Sequence, residues 1–163
     1  MKALAIILMI VTMIPAAAAE NKTDVDILPP IAAAANDDLT TVSDITPAAL
    51  AERMPADLRH MAADIIRICK REGVKAEFIA AIIIWEKRPD LHNYFGWMAS
   101  GKLKRFETDL DCLEWTIPKI RKLYLDAAGK YFNGATVAGV SICYNNSDFW
   151  RDNISATMEA LKD

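Results

Sequence analysis

Three cysteines in 163 residues, Cys69, Cys112 and Cys143, are too few for a disulfide framework, and their odd number allows at most one internal bridge. With only His60 and His92 to join them, they form no zinc motif. All three lie in apolar surroundings, where free cysteine packs as a small hydrophobe, so they are expected in the core. The chain has no phosphate-cradling glycine loop, no His-Glu-x-x-His pair and no Gly-x-Ser-x-Gly elbow. Nothing therefore calls for a metal or any other cofactor. A basic excess is also missing: 19 Lys and Arg stand against 22 Asp and Glu, for a net charge of −3. Nucleic acid and anionic lipid, which demand a basic face, are poor partners on that balance.

The compartment is written at the N-terminus. Met1-Lys2 precedes an uncharged run from Ala3 to Ile14, then Pro15 and Ala16-Ala17-Ala18-Ala19-Glu20: a charged start, an apolar middle and small residues at a cleavage site. This pattern predicts a signal peptide over 1–19 and export to the periplasm or the extracellular space. No later stretch approaches the ~18 consecutive apolar residues of a membrane span. A retained anchor is thus the weaker reading, and no stable membrane anchor is expected once the leader is removed.

Residues 20–44, with Pro29-Pro30, an alanine run and Asn36-Asp37-Asp38, show no sustained periodicity and read as a mobile tether. Residues 45–163 suit one domain with a single core. The class is mainly α. Thr46 with Pro47 opens a short helix, and Pro55 is expected to start another that carries Leu58, Met61, Ile65, Ile66 and Cys69 before Gly73 stops it. A helix from about Lys75 to Glu86 is apolar nearly all round and so central. A small hairpin is expected to pair 94–98 with 102–106 about Ser100-Gly101. Thr108 or Asp109 caps a helix with Leu110, Leu113, Ile117, Ile120 and Leu123 inward, kinked by Pro118 and stopped near Gly129. Val137 to Tyr144 forms a short helix, and Ser147 or Asp148 caps a last one carrying Trp150, Ile154, Met158 and Leu161.

Glu86 ends the most apolar stretch after the leader and is followed by the aromatic loop Asn93-Tyr94-Phe95-Gly96-Trp97. A carboxyl at the mouth of a buried helix loses water around its charged form and keeps its proton to higher pH, as a general acid near neutrality requires. The plain alternative is a surface residue that ends a core helix. Lys87 and Arg88 beside it act in the opposite sense, favouring the charged form.

Five blocks follow in order: 80–86 (Ala-Ala-Ile-Ile-Ile-Trp-Glu), 93–97 (Asn-Tyr-Phe-Gly-Trp), 106–112 (Phe-Glu-Thr-Asp-Leu-Asp-Cys), 131–140 (Tyr-Phe-Asn-Gly-Ala-Thr-Val-Ala-Gly-Val) and 144–150 (Tyr-Asn-Asn-Ser-Asp-Phe-Trp). Together they resemble the bacterial glucosaminidase (endo-β-N-acetylglucosaminidase) domain, over roughly residues 74–154. The resemblance implies a lysozyme-like helical fold with a reduced hairpin. It implies cleavage of the β-1,4 bond after N-acetylglucosamine in peptidoglycan, with Glu86 as general acid and Tyr144 beside the cleavage point. It makes peptidoglycan glycan strands the partner, with Asn93, Tyr94, Phe95 and Trp97 lining the groove, where rings stack on sugars and an amide bonds hydroxyl or acetamido groups. Other assignments stay open. Phe95 suits the core better than the groove, Asn93 suits capping a turn, and Tyr144 suits either core or site. Trp85, Trp115 and Trp150 are assigned to packing. His60 reads as solvated, and His92 as a lesser groove candidate.

The chain departs from that family twice. Lys87-Arg88-Pro89-Asp90-Leu91-His92 replaces the usual Ser/Thr-Gly-Trp-Gly turn and the longer stretch after it, and the hairpin carries no acid. Asp90, Glu107 and Asp109 are the nearest candidates for a second carboxylate, and the substrate's acetamido group can fill that role. A domain that binds glycan or a periplasmic protein without turnover is the second reading. Muramidase or lytic transglycosylase chemistry on the same fold is the third, since fold alone does not fix the bond cut.

Overall fold

The computed structural model describes residues 34–162. The predicted leader and residues 20–33 of the predicted tether lie outside the described residues. The described chain is mainly helical with one two-stranded antiparallel hairpin, as the periodicity predicts. Its helices are α1 (Pro47–Arg53), α2 (Ala62–Glu72), α3 (Ala76–Glu86), α4 (Asp109–Ile120), α5 (Val137–Tyr144) and α6 (Asp148–Lys162). The strands are β1 (Met98–Ala99) and β2 (Lys102–Leu103).

α3 is the axle. Every residue from Ala76 to Ile83 is buried, and the helix packs against α2 and α6. A helix without a polar face has no side to give to water, so its neighbours must surround it. α2 is amphipathic instead, burying Ile65, Ile66, Ile68 and Cys69 against α1, α3 and α4. It starts later than Pro55. The chain turns at 55–58, makes a 3₁₀ turn at Arg59–Met61, and only then becomes α-helical. A 3₁₀ turn eclipses residues three apart, which lets Leu58 and Met61 both reach the core.

Residues 34–44 do not form a tether. Ala34 and Leu39 are fully buried, Leu39 N–H donates to the Ala135 carbonyl, and Lys75 N–H donates to the Leu39 carbonyl. Asp37 takes ion pairs from Lys75 (3.2 Å) and Lys162 (2.7 Å), and the Ser43 hydroxyl accepts from Ala76 N–H while donating to Glu77. The segment straps α3, α5 and α6 together. Its single buried leucine and local turns have no periodicity to betray them.

α4 is opened by a capping box in which Thr108 and Asp111 each bond the other's backbone N–H. Leu113, Ile117 and Ile120 are buried as expected, whereas Leu110 is 41% exposed. Pro118 lies inside the helix, and the backbone answers three residues later by widening into a π-helical turn at Arg121–Leu125. The helical run therefore ends at Leu125 and not at Gly129. Gly129 sits against its end instead, where an added Cβ would meet the Leu123 carbonyl at 2.6 Å. The π turn buries Tyr124 and Leu125.

The hairpin is shorter than predicted, with Met98 opposite Leu103 and Ala99 opposite Lys102. Ser100 and Gly101, at φ 52° and 77°, make the tight turn. Beyond the ladder Lys104 N–H still donates to the Trp97 carbonyl at 2.8 Å, while the Asn93 side chain takes the N–H groups of Phe95 and Trp97 and holds that stretch as a loop. Cys69 and Cys112 are buried, but Cys143 is exposed, against expectation, and all three thiols are free. Burial pushes the Cys112 thiol up to about 11. Among the described residues no helix is long and apolar enough to cross a membrane, and no cluster of three His, Cys, Asp or Glu could hold a metal ion.

Candidate active site

Glu86 is the last residue of α3 and is half-buried. Its Oε1 accepts the indole N–H of Trp150 at 2.8 Å and, more distantly, the Asn145 amide at 3.5 Å. Among the described residues no donor reaches Oε2. That oxygen faces Gly96, where an added Cβ would lie 3.1 Å from it, and Gly96 has φ +62°. Glycine here both permits a left-handed backbone and keeps the free oxygen open. Gly96→Ala is expected to cost about 1–2 kcal/mol of backbone strain and to crowd the carboxylate. Thermal unfolding should move by only about 5 °C, whereas Glu86-dependent activity should drop about 10–100-fold, as displaced reacting groups do.

Lys87 does not face Glu86; its ammonium pairs with Asp57 at 2.7 Å. The cleft at Glu86 has a volume of about 420 Å³ and is bordered by Phe95, Gly96, Trp97, Met98, Tyr124, Tyr144 and Asn145. The Tyr144 ring stacks on Trp150 with centroids 5.1 Å apart and meets Tyr124 edge-on at 5.6 Å. Its hydroxyl donates to the Phe95 carbonyl at 2.7 Å. Burial, and then the negative charge of Glu86, push that hydroxyl well above its ordinary range, so it stays protonated. The Trp97 indole stands edge-on to Trp115 at 5.4 Å, and Lys119 covers the Trp115 face at 3.7 Å. No family model matches this chain, and no curated protein matches it either. The glucosaminidase resemblance rests on the residues quoted for it.

Of the six residues picked from sequence, Glu86, Phe95, Trp97 and Tyr144 border the cleft. The other two brace it from behind. Asn93 is fully buried, its amide donating to the carbonyls of Trp97 (2.9 Å) and Lys104 (2.8 Å) and accepting from the N–H of Phe95 and Trp97. The whole side chain is spent on the loop, so it is a turn-former and not a sugar ligand. Tyr94 is buried, and its hydroxyl donates to Asp109 at 3.0 Å. Trp150 and Trp85, assigned to packing, have further parts. Trp150 is buried yet holds the acid, and Trp85 is 47% exposed. Asn145 and Tyr124 also join the cleft; the amide-rich block after Tyr144 was the available signal for the first, and the second depends on the π turn.

Asp109 gathers a separate cluster. It accepts from Tyr94, bonds His60 Nε2 at 2.7 Å and bonds His92 Nδ1. His60 and His92 are therefore tied to this carboxylate, and His92 is turned away from the cleft at Glu86. Glu107 and Asp109 border their own depression, and Asp90 is exposed outside both. Burial pushes the Asp109 carboxyl up, but the hydrogen bonds from His60, His92 and Tyr94 outweigh it and hold it below the usual range. A carboxyl lowered by folding stabilises above its unfolded pKa of about 3.9, and that contribution is lost as pH falls through the folded value. Asp109→Asn should therefore cost about 1–3 kcal/mol at pH 7. Urea unfolding should show the gap to wild type narrowing as pH falls below the unfolded value of about 3.9.

Proposed function

We propose that the protein is an exported glycoside hydrolase of peptidoglycan that cleaves the β-1,4 bond after N-acetylglucosamine with Glu86 as general acid. The observation that carries this reading is the unpartnered Oε2 of Glu86 in a cleft walled by aromatic rings, on a chain whose blocks resemble a glucosaminidase. Aromatic faces take the apolar faces of sugars, and a carboxyl beside them meets the glycosidic oxygen.

Glu86 protonates the leaving oxygen as the bond from the sugar C1 breaks. Among the described residues no second carboxylate borders the cleft, since Asp90, Glu107 and Asp109 all lie elsewhere. The opposite face falls to the substrate. The acetamido oxygen of the N-acetylglucosamine unit closes on C1, and water, giving a proton back to Glu86, reopens that ring. Tyr144 has committed its proton to the Phe95 carbonyl and acts by fixing the Phe95-Gly96 turn under the sugar.

The lone carboxylate also favours the second reading, a domain that holds glycan without cutting it. Turbidity clearing and mass analysis of purified peptidoglycan separate the two. Fragments with reducing N-acetylglucosamine ends support the hydrolase. Reducing or anhydro N-acetylmuramic acid ends would move the bond cut to muramidase or transglycosylase chemistry, and sedimentation with intact peptidoglycan without fragments would leave the binder.

A further inference from the structure

A second, smaller depression of about 200 Å³ lies against Glu86 and Asn145, which border both it and the main cleft. Trp85 from α3 and Phe149 from α6 wall it, with ring centroids 6.3 Å apart and planes at 85°. Trp85 is 47% and Phe149 72% exposed. Two adjoining aromatic rings that keep this much surface in water form an apolar patch of the kind that marks a binding surface. The indole is not loose, because its N–H donates to Thr157 Oγ1 at 2.8 Å and ties it to α6. The rim is polar. Asn153 spends its amide N–H on the Phe149 carbonyl at 2.7 Å, its amide oxygen meets no donor among the described residues, and Ser147 stands beside it.

Exposed ring faces edged by amides and a hydroxyl match the chemistry of a pyranose, which is apolar on its C–H face and hydroxylated round its edge. The volume is below the ~300 Å³ at which pockets for larger ligands begin, so it suits one ring. We infer that Trp85 and Phe149 form a saccharide subsite holding the sugar on one side of the bond that Glu86 protonates, with the Phe95–Tyr144 cleft holding the sugar on the other. The position of the bond rests on the hydrolase reading; the binding of sugar does not.

The test uses the full chain after the leader, as wild type and as Glu86→Gln, with a tetrasaccharide of alternating N-acetylglucosamine and N-acetylmuramic acid as probe. Calorimetric titration of the Glu86→Gln protein should weaken about 3–10-fold on adding Phe149→Ala or Trp85→Ala, the size of one aromatic contact. Val42→Ser, which removes an exposed apolar residue of the N-terminal strap, should change nothing. Phe149 is exposed enough that its removal leaves the fold intact. Cleavage by wild type, with equal binding and cleavage by both aromatic variants, overturns the subsite and leaves the hydrolase standing. Binding that depends on Phe149 without any cleavage supports the subsite and removes the hydrolase. Neither binding nor cleavage by wild type removes both.

Discussion

Glu86→Gln is expected to lower kcat/KM on peptidoglycan by about 10²–10⁴-fold, the usual worth of a general acid, with the unfolding midpoint almost unmoved. Both halves of that expectation come from the same carboxyl group. Its Oε1 accepts the Trp150 indole N–H, and a Gln amide oxygen still accepts it, though more weakly than a carboxylate, so the link between α3 and α6 survives. Its Oε2 has no donor among the described residues, so replacing it by an amide nitrogen breaks no hydrogen bond of the fold. What is lost is an ionisable proton beside the glycosidic oxygen. Kinetics on a soluble glycan fragment, beside thermal unfolding of the same two proteins, checks both halves. Equal measurable rates for the two would take Glu86 out of the chemistry, and no turnover by either would leave the binding domain as the reading.

The largest effect on stability belongs to Asn93→Ala, at roughly 3–5 kcal/mol, a severe value for a single substitution. The change removes the partner of the Lys104 carbonyl and of the Phe95 and Trp97 N–H groups around a fully buried side chain, while the Trp97 carbonyl keeps the Lys104 N–H at 2.8 Å. Each group left unpaired carries a desolvation cost, and three of them hold one loop. In thermal terms the loss is about 10–15 °C, measurable without any glycan. Asn93→Asp should be no milder, because it turns the donating nitrogen into an oxygen aimed at two carbonyls. A residue reserved for sugar would leave the midpoint where it is.

What could be read from the sequence follows the range of the interaction behind each feature. The capping signals of Thr46-Pro47 and Thr108 act within one turn, and both open the helices they predict. Val137 to Tyr144 falls on the predicted bounds, as apolar periodicity flanked by Thr136 and a polar run should. Periodicity reports only that a residue is inward. It marked Trp150 as core correctly, and was silent on the hydrogen bond that makes it the holder of Glu86, 64 residues away. The same blindness covers Asp109, whose partner His60 lies 49 residues away and whose partners His92 and Tyr94 come from the loop after α3. Trp85 escaped for the opposite reason, since one apolar residue at the end of a buried helix can point out as the chain leaves the core. The strap at 34–44 shows that low periodicity does not mean absence of structure when a single leucine finds a pocket.

The acid on α3 is oriented by a residue on α6, and the same helix ties down Trp85. On the ribosome, α3 is made long before α6, so the emerging chain carries Glu86 for some 64 residues without the indole that aims it. A chain without α6 thus carries the carboxyl and lacks the hydrogen bond that orients it.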